Sequence, residues 1–501
     1  MICHIGVDVG LTAAKAAAFD DDGRELWTVR ASNPRIAVSA DRQEVDMDDL
    51  WRVVAGVLRD LTAHLATSGH TPVSLAVTGH GNGLYPVDED LRPVRPAIAS
   101  TDSRAQDLAA EALAGPGEAL RDVTGSMPWA AQPAVLLRWL HDHEPESLAR
   151  IRWALSCKDW LTTRLIGEPS ADYSDASAMG LLRLSTRAYA PEALEAVGLP
   201  GDLIRLFPPV RASDAVAGTV TPEAAASTGL PVGLPVAAGC MDCVASPLGA
   251  GASGPGDVTV IVGTWAINAV VVPSTAVPPR VTLNALLPEP GTMLAMEVAP
   301  TSSASLEWLS AAVTRPSGPT AEPRELLEAA ADAPAGSEGL YFLPFVHGAP
   351  AIQGASGTLV GASARHGHAH VARAVAEGVA QYHRVQVEAL RESGAAMSGE
   401  PWTLAGGGAR NPVWAQIFAD VLGHPVRRQL GTELGARGAA FLARAALDPA
   451  AEPWRLEQDP SLVVHPGANQ ALYARQALVF DALLDSLRPA WTALHQEARS
   501  A

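Results

Sequence analysis

Two stretches of this chain, far apart, follow one plan. IGVDVGLTAAKAAAF (5–19) and VIVGTWAINAVVV (260–272) each read as an apolar strand, a tight turn holding Gly and Thr, and a second apolar strand. In each half the hairpin comes first and a strand–glycine–helix unit follows. A repeat of this kind predicts two similar domains, each offering a glycine turn to a ligand held between them. The 501 residues are also too many for one ordinary core. Because hairpins open both halves, the fold class is α/β with mixed sheets, not an all-parallel doubly wound sheet.

The local patterns fill in this plan. Residues 3–10 and 14–19 predict two strands, and RELWTVRAS a third after the DDDG turn. Leu50, Val53, Val54, Val57, Leu58, Leu61 and Leu65 recur at helical spacing, with Asp46 as N-cap. SLAVTG (74–79) predicts a buried strand followed by the loop HGNG, and helical patterns dominate from 101 to about 165. The Pro-rich strip 199–235 reads as a connecting lobe with few regular elements. In the second half, GLYFLPF (339–345) and WTLAGGG (402–408) predict strands; 370–390, 411–423 and the final stretch from 468 predict helices.

Composition removes several function classes. A net charge of −18 argues against nucleic acid or anionic membrane as a partner, though backbone amides can still bind phosphate on an acidic protein. The most apolar run, 258–272, is too short and too polar to span a bilayer, and MICHIGVDVG lacks the pattern of a signal peptide. Four cysteines are too few for a disulfide scaffold; Cys240 and Cys243 have CxxC spacing without a second pair, which favours buried structural thiols over zinc or redox use. A reduced, cytoplasmic protein is the expectation.

Several short motifs carry chemistry. GCMDC (239–243) places one carboxylate, Asp242, between an apolar strand and a run of small residues, which suits a catalytic base in a cleft. Asp8, Gly10 and Thr12 share the first hairpin turn: the glycine admits phosphate oxygens, Thr12 offers a hydroxyl, and Asp8 would hold Mg²⁺ directly or through water. Gly263 and Thr264 form the matching turn, so the pair could grip a polyphosphate from two sides. Gly406, Gly407 and Gly408, ahead of Arg410 and Asn411, leave room for a flat ring or phosphate, and the helix N-terminus beyond favours an anion. No GK[ST] follows, so this is not a Walker A loop.

Other motifs keep two readings. His80, Gly81, Asn82 and Gly83 precede a strand pattern, which excludes the dinucleotide fingerprint. The loop would hydrogen-bond a hydroxylated substrate, with His80 either structural or in contact. Asp102 and Arg104 taken alone read as a helix N-cap beside a solvated arginine. His366, His368 and His370 read as a solvated helix start, not a metal site.

Taken together and in order, these segments resemble the FGGY carbohydrate kinases, sugar and polyol kinases of the actin-like ATPase superfamily. The resemblance runs through GVDVGLTAAK (6–15), CKDWLTTRLIG (157–167), DYSDAS (172–177), GCMDCVASPLGAG (239–251), IVGTWA (261–266), GTLVGASARHGHAHVARAVAEG (357–378), GGGARNPVWAQIFADVLG (406–423) and ELGARGAAFLA (433–443). HGNGLYPVD, STDSRA, WLHDHEPE, VGTWAIN and APTSSASLEWL are most similar to the L-xylulose (3-keto-L-gulonate) kinase branch, with erythritol kinases close by. The resemblance implies two duplicated actin-like (ribonuclease H-like) domains around a central cleft, residues 1–245 binding sugar and 246–501 binding nucleotide. It implies Asp242 as base, Asp8 as the magnesium-associated acid, and Gly10, Thr12, Lys15, Gly263, Thr264, Gly407, Gly408 and Asn411 on the ATP side. His80, Gly81, Asn82, Asp102 and Arg104 fall in the segments that line the sugar site. The implied substrates are ATP, with Mg²⁺, and a small ketose or polyol; a homodimer is the default assembly.

Three positions depart from the family pattern. Ser100 stands where many relatives have tryptophan, Gly81-Asn82 where xylulose kinases usually have Met-His, and Cys243 where an amide side chain is common. A different-class reading, a nucleotide-dependent switch binding a protein, lacks the sugar loop and the base.

Overall fold

The computed structural model describes residues 1–501 except 35, 38, 40–41, 253, 276–280, 313–321, 350–351, 353, 431–432, 455–458 and 501. The first hairpin is β1 (Ile2–Val9) and β2 (Ala13–Phe19), joined antiparallel to β3 (Glu25–Ser32). Helix α1 (Met47–Thr67) covers this sheet with its apolar stripe, and Asp46 caps it by accepting from the Asp49 amide. The chain then adds β4 (Thr71–Gly79) parallel to β1, runs through α2 (Cys157–Ile166), and returns by β5 (Val216–Thr219) and β6 (Pro235–Met241). Among the described residues the sheet order is β5-β6-β4-β1-β2-β3.

After α3 (Asp242–Gly249), which continues across the expected 245/246 division, the plan repeats. β7 (Val258–Val262) and β8 (Ala266–Pro273) form the second hairpin, and β9 (Leu283–Leu286) and β10 (Thr292–Ala299) extend it antiparallel. Helix α4 (His368–Glu392) buries one face on the second core. Then come β11 (Trp402–Ala405), α5 (Pro412–Leu422), β12 (Val426–Arg428), α6 (Leu434–Ala445), the edge strand β13 (Val463–Val464) and the long α7 (Gln470–Ser500). Both sheets share one pattern: antiparallel strands, two parallel additions, then an antiparallel edge strand.

The Pro-rich strip is more regular than its composition predicts. It supplies edge strand β5 and a helix, Pro222–Thr228, that packs beside α1. Two of its prolines sit where the missing N–H costs little, Pro222 at the first position of that helix and Pro235 at the start of β6. The expectation of a connecting lobe is therefore corrected.

The two halves interlock through α3 and α6. Helix α6, from the second half, lies on the first sheet: a Cβ on Gly6 would sit 1.8 Å from the Ala436 carbonyl oxygen. A Cβ on Gly438 would lie 2.0 Å from the Ala245 carbonyl, so glycine is needed for α3 and α6 to approach this closely. Val244, Leu248, Ala269, Met296, Ala440 and Phe441 join one buried cluster that belongs to both halves.

Candidate active site

The tip of the first hairpin is tied down from several sides. The Gly10 amide donates to the Ala13 carbonyl (3.1 Å), and Asn33 donates from its side chain to Gly10 O (2.6 Å) and from its amide to Thr12 O (3.0 Å). This leaves Thr12 exposed at the turn. Asp8 pairs across the hairpin with Lys15, whose Nζ lies 2.6 Å from Glu433 Oε2 at the start of α6. A Cβ on Gly435 would lie 2.6 Å from Asp8 Oδ2, so the Asp8 carboxylate rests against the first turn of α6. Burial raises the Asp8 carboxyl above its ordinary range; Lys15 opposes this and Glu433 adds to it.

Asp242 is the first residue of α3, at the end of β6. That strand end is fixed by the Thr78 hydroxyl donating to Cys240 O (2.6 Å) and by the Met241 amide donating to Ser174 Oγ (3.2 Å). Asp242 Oδ1 accepts from the Cys243 amide at 2.7 Å. Burial, and then the charge of Asp8, push its carboxyl up to about 7, against the pull of the Cys243 thiol and amide. The Cys243 thiol is itself raised well above its usual range by burial and by Asp242, so it stays protonated and donates to the carboxylate. All four cysteines are unbridged.

The 80–83 loop packs on the same strand ends. The His80 amide donates to Val9 O (3.0 Å), and its Nε2 meets the Tyr85 hydroxyl at 2.9 Å. Burial lowers the imidazole to about 4, so His80 is neutral at physiological pH. Asn82 is 2 % exposed and adopts φ 61°, and its Oδ1 has no hydrogen-bond partner among the described residues. Such a buried acceptor costs about 1–3 kcal/mol until a donor reaches it.

Asp102 and Arg104 are not a helix cap with a solvated arginine; that expectation is corrected. The following helix, Gln106–Ala114, has no side-chain cap, and both side chains are buried. Arg104 donates from Nε and Nη2 to the two Asp102 oxygens (2.9 and 2.8 Å) and from Nη2 to Glu44 Oε1 (2.9 Å), with Trp139 5.0 Å from the guanidinium carbon. The two carboxylates raise its already high basicity. Glu44 carried no sequence signal.

In the second half, Gly263 O accepts from the Ser303 amide (2.8 Å), and Thr264 is exposed at the turn. Gly406 (φ 86°) packs against this hairpin: a Cβ there would lie 2.7 Å from Val262 O. Over Gly407 a Cβ would meet no atom within 4 Å, whereas at Gly408 it would strike Val262 Cγ1 at 2.4 Å. Arg428 holds this turn by donating to Ala409 O and Arg410 O (2.8 and 2.7 Å). A 3₁₀ turn, Gly407–Arg410, precedes α5, and Asn411 Oδ1 accepts from the Val413 and Trp414 amides. With Pro412 lacking an N–H, the expected anion site at this helix N-terminus is corrected: its amides already have a partner. The Asn411 side-chain NH₂ is left for other contacts.

The model of the FGGY family of carbohydrate kinases matches with its N-terminal domain over residues 3–249 and its C-terminal domain over residues 258–447. The chain belongs to the FGGY family of carbohydrate kinases. It is therefore a phosphotransferase acting on an alcohol group, with the actin-like two-domain fold of that family. The chain is 31% identical to the L-xylulose/3-keto-L-gulonate kinase of Escherichia coli over 444 residues, covering 88% of this chain and 87% of that protein. It is 29% identical to the erythritol kinase of Brucella abortus, covering 98% and 96%. The crystal structure of xylulose kinase from Rhodospirillum rubrum superposes with a TM-score of 0.85 at 29% identity, covering 98% and 100%. No helix among the described residues of this FGGY kinase is long and apolar enough to cross a membrane.

Close to Asp242 the kinase carries a buried network drawn from the CKDWLTTRLIG and DYSDAS segments, whose members gave no sequence signal of a shared cluster. Lys158 Nζ sits among Asp159, Asp172 (2.9 Å) and Asp175 (3.5 Å), all 0–2% exposed. Three acidic oxygens here lie close enough for a metal, but the ammonium already occupies their centre. The Ser213 hydroxyl donates to Asp172 and Ser213 O accepts from the Gly239 amide, while neighbouring Ser174 receives the Met241 amide, so the cluster buttresses β6 directly ahead of Asp242. Of the histidines near 368, His370 Nδ1 accepts from the amide of Gly367 at the helix N-cap, and His366 Nδ1 accepts from the Ser363 amide in the turn before it.

Proposed function

We propose that this FGGY kinase moves the γ-phosphoryl group of ATP to a primary hydroxyl of a small ketose or polyol, with an L-xylulose-like pentulose as the first candidate. The observation that carries the reading is Asp242. It stands at a strand-to-helix junction, within the field of Asp8, with a carboxyl tuned to about 7. A carboxylate so tuned can take a hydroxyl proton at neutral pH, and a positioned base typically contributes about 10²–10⁴-fold.

The Asp8 carboxylate offers the hard oxygen donor that Mg²⁺ prefers, and its charge reaches Asp242. Asp8 would hold Mg²⁺, and the ion would offset charge on the phosphates. Gly10, Thr12 and Lys15 on one turn and Gly263 and Thr264 on the other would face the phosphates. The open space over Gly407 fits a nucleoside, with Gly408 and the Asn411 amide beside it. The unpartnered Asn82 oxygen would accept from a substrate hydroxyl, while Gly81, His80 and the Asp102–Arg104 pair shape that side. Residues 1–245 would serve the acceptor and residues 246–501 the nucleotide.

The similarity to an L-xylulose/3-keto-L-gulonate kinase supports a pentulose, and the longer match to an erythritol kinase keeps a short polyol as the second reading. ADP release measured with L-xylulose, 3-keto-L-gulonate, D-xylulose, erythritol, xylitol and L-ribulose tests both. Turnover of none of the six would overturn the acceptor class.

A further inference from the structure

Met241 and Gly81 share one space. A Cβ on Gly81 would lie 2.3 Å from Met241 Cε, 2.6 Å from Sδ and 2.7 Å from Cγ, so the thioether lies directly over the glycine. Met241 is the last residue before Asp242 and pairs in register with Gly79, immediately ahead of the loop. Its side chain therefore joins the strand end bearing the base to the loop bearing the unpartnered Asn82 oxygen.

Both backbones are held by hydrogen bonds, so crowding falls on the flexible Met241 side chain. The loop is held by the His80 amide to Val9 O (3.0 Å) and the Gly83 amide to Ala131 O (2.8 Å), and Gly83 itself lies against Ile98, where a Cβ would be 2.4 Å from the carbonyl oxygen. On the other side, Ser174 holds the Met241 amide and Thr78 the Cys240 carbonyl. With both walls fixed, side-chain volume at 81 and 241 is the adjustable quantity. Methionine suits the role, being unbranched and apolar, able to fill an irregular gap beside carbon atoms while offering only a weak acceptor and no donor.

We infer that Met241, seated on Gly81, is a specificity-determining wall of the acceptor site, setting how long or how substituted an acceptor can lie between Asn82 and Asp242. The inference rests on the acceptor reading above. One methylene more or less against an apolar wall changes discrimination about 10–200-fold.

The test is a double-mutant cycle with wild type, G81A, M241A and G81A/M241A, plus M241L as the volume-conserving control. Each is assayed for kcat/KM across four-, five- and six-carbon ketoses and polyols, with Tm measured in parallel. M241A is expected to shift the ranking at least tenfold toward longer acceptors, and M241L to keep the wild-type ranking. G81A is expected to lose about tenfold on the preferred acceptor and to regain most of it in the double variant. If wild type turns over acceptors and all variants keep its ranking, or the double variant is additive, the inference is overturned and the kinase reading stands. A wild-type protein that phosphorylates none of the panel overturns both.

Discussion

Lys15 Nζ lies 2.6 Å from Glu433 Oε2, joining the hairpin that opens the first half to the helix that closes the repeat in the second. Both side chains keep partial access to water, 23% and 31% exposed, so the pair itself stabilises by only about 1 kcal/mol. Its larger consequence is for Asp8, which Lys15 helps to ionise and Glu433 opposes. Lys15→Met should raise the Asp8 carboxyl further and weaken ATP-dependent turnover most at acidic pH. Glu433→Gln should leave Asp8 more readily ionised. The acidic limbs of kcat/KM for the two variants should move in opposite directions.

Replacing Asp242 by Asn should abolish sugar phosphorylation, by about 10²-fold or more, while nucleotide binding persists in calorimetry. The wild-type rate should rise with pH around a midpoint near 7, because the ionised carboxylate takes the proton. Stability runs the other way. The folded carboxyl holds its proton up to about 7 against an ordinary value of 3.8, so its contribution is full below pH 4 and is lost as pH rises through 7. Asp242→Asn should therefore flatten the fall in stability across that interval in urea titrations.

Arg104→Met would leave the buried Asp102 without its counter-charge, while Glu44 would keep Arg95 at 2.5 Å. Breaking one partner of such a set costs about 3–5 kcal/mol. Equilibrium unfolding should report that loss, and Arg104→Lys, which cannot reproduce the two-oxygen fork, should recover only part of it.

Gly438→Ala would place a methyl 2.0 Å from the Ala245 backbone oxygen, where no side-chain rotation gives relief. A loss of about 3 kcal/mol or more is expected, with α3 and α6 forced apart. The same substitution at Gly407, which faces open space, should leave the midpoint of thermal unfolding nearly unchanged. Equal shifts in Tm for the two variants would contradict the packing described.

Much of the fold was legible because it is written in local periodicity. The two hairpins, α1 with its Asp46 cap and the glycine turns all appear where apolar spacing and turn chemistry place them. Proline content misled at 199–235, since composition does not distinguish a proline that breaks an element from one that begins it. At the site, Asp8 and Asp242 stood out as lone acids among small residues. Glu44, Asn33, Glu433 and the Lys158 cluster did not, because each takes its role from a partner far away in the chain.

The sequence alone determined the fold class of this protein, a duplicated α/β chain with mixed sheets, because residue type and spacing report which face is buried and where backbone must bend; its resemblance to the FGGY carbohydrate kinases added the reaction class. Only the tertiary structure decided the partners. It turned Asp102 and Arg104 from a surface cap into a buried ion set, gave the amides ahead of α5 to Asn411, and laid Met241 over Gly81. A side chain's environment is set by whichever segment packs against it, and no pattern within its own segment records that neighbour.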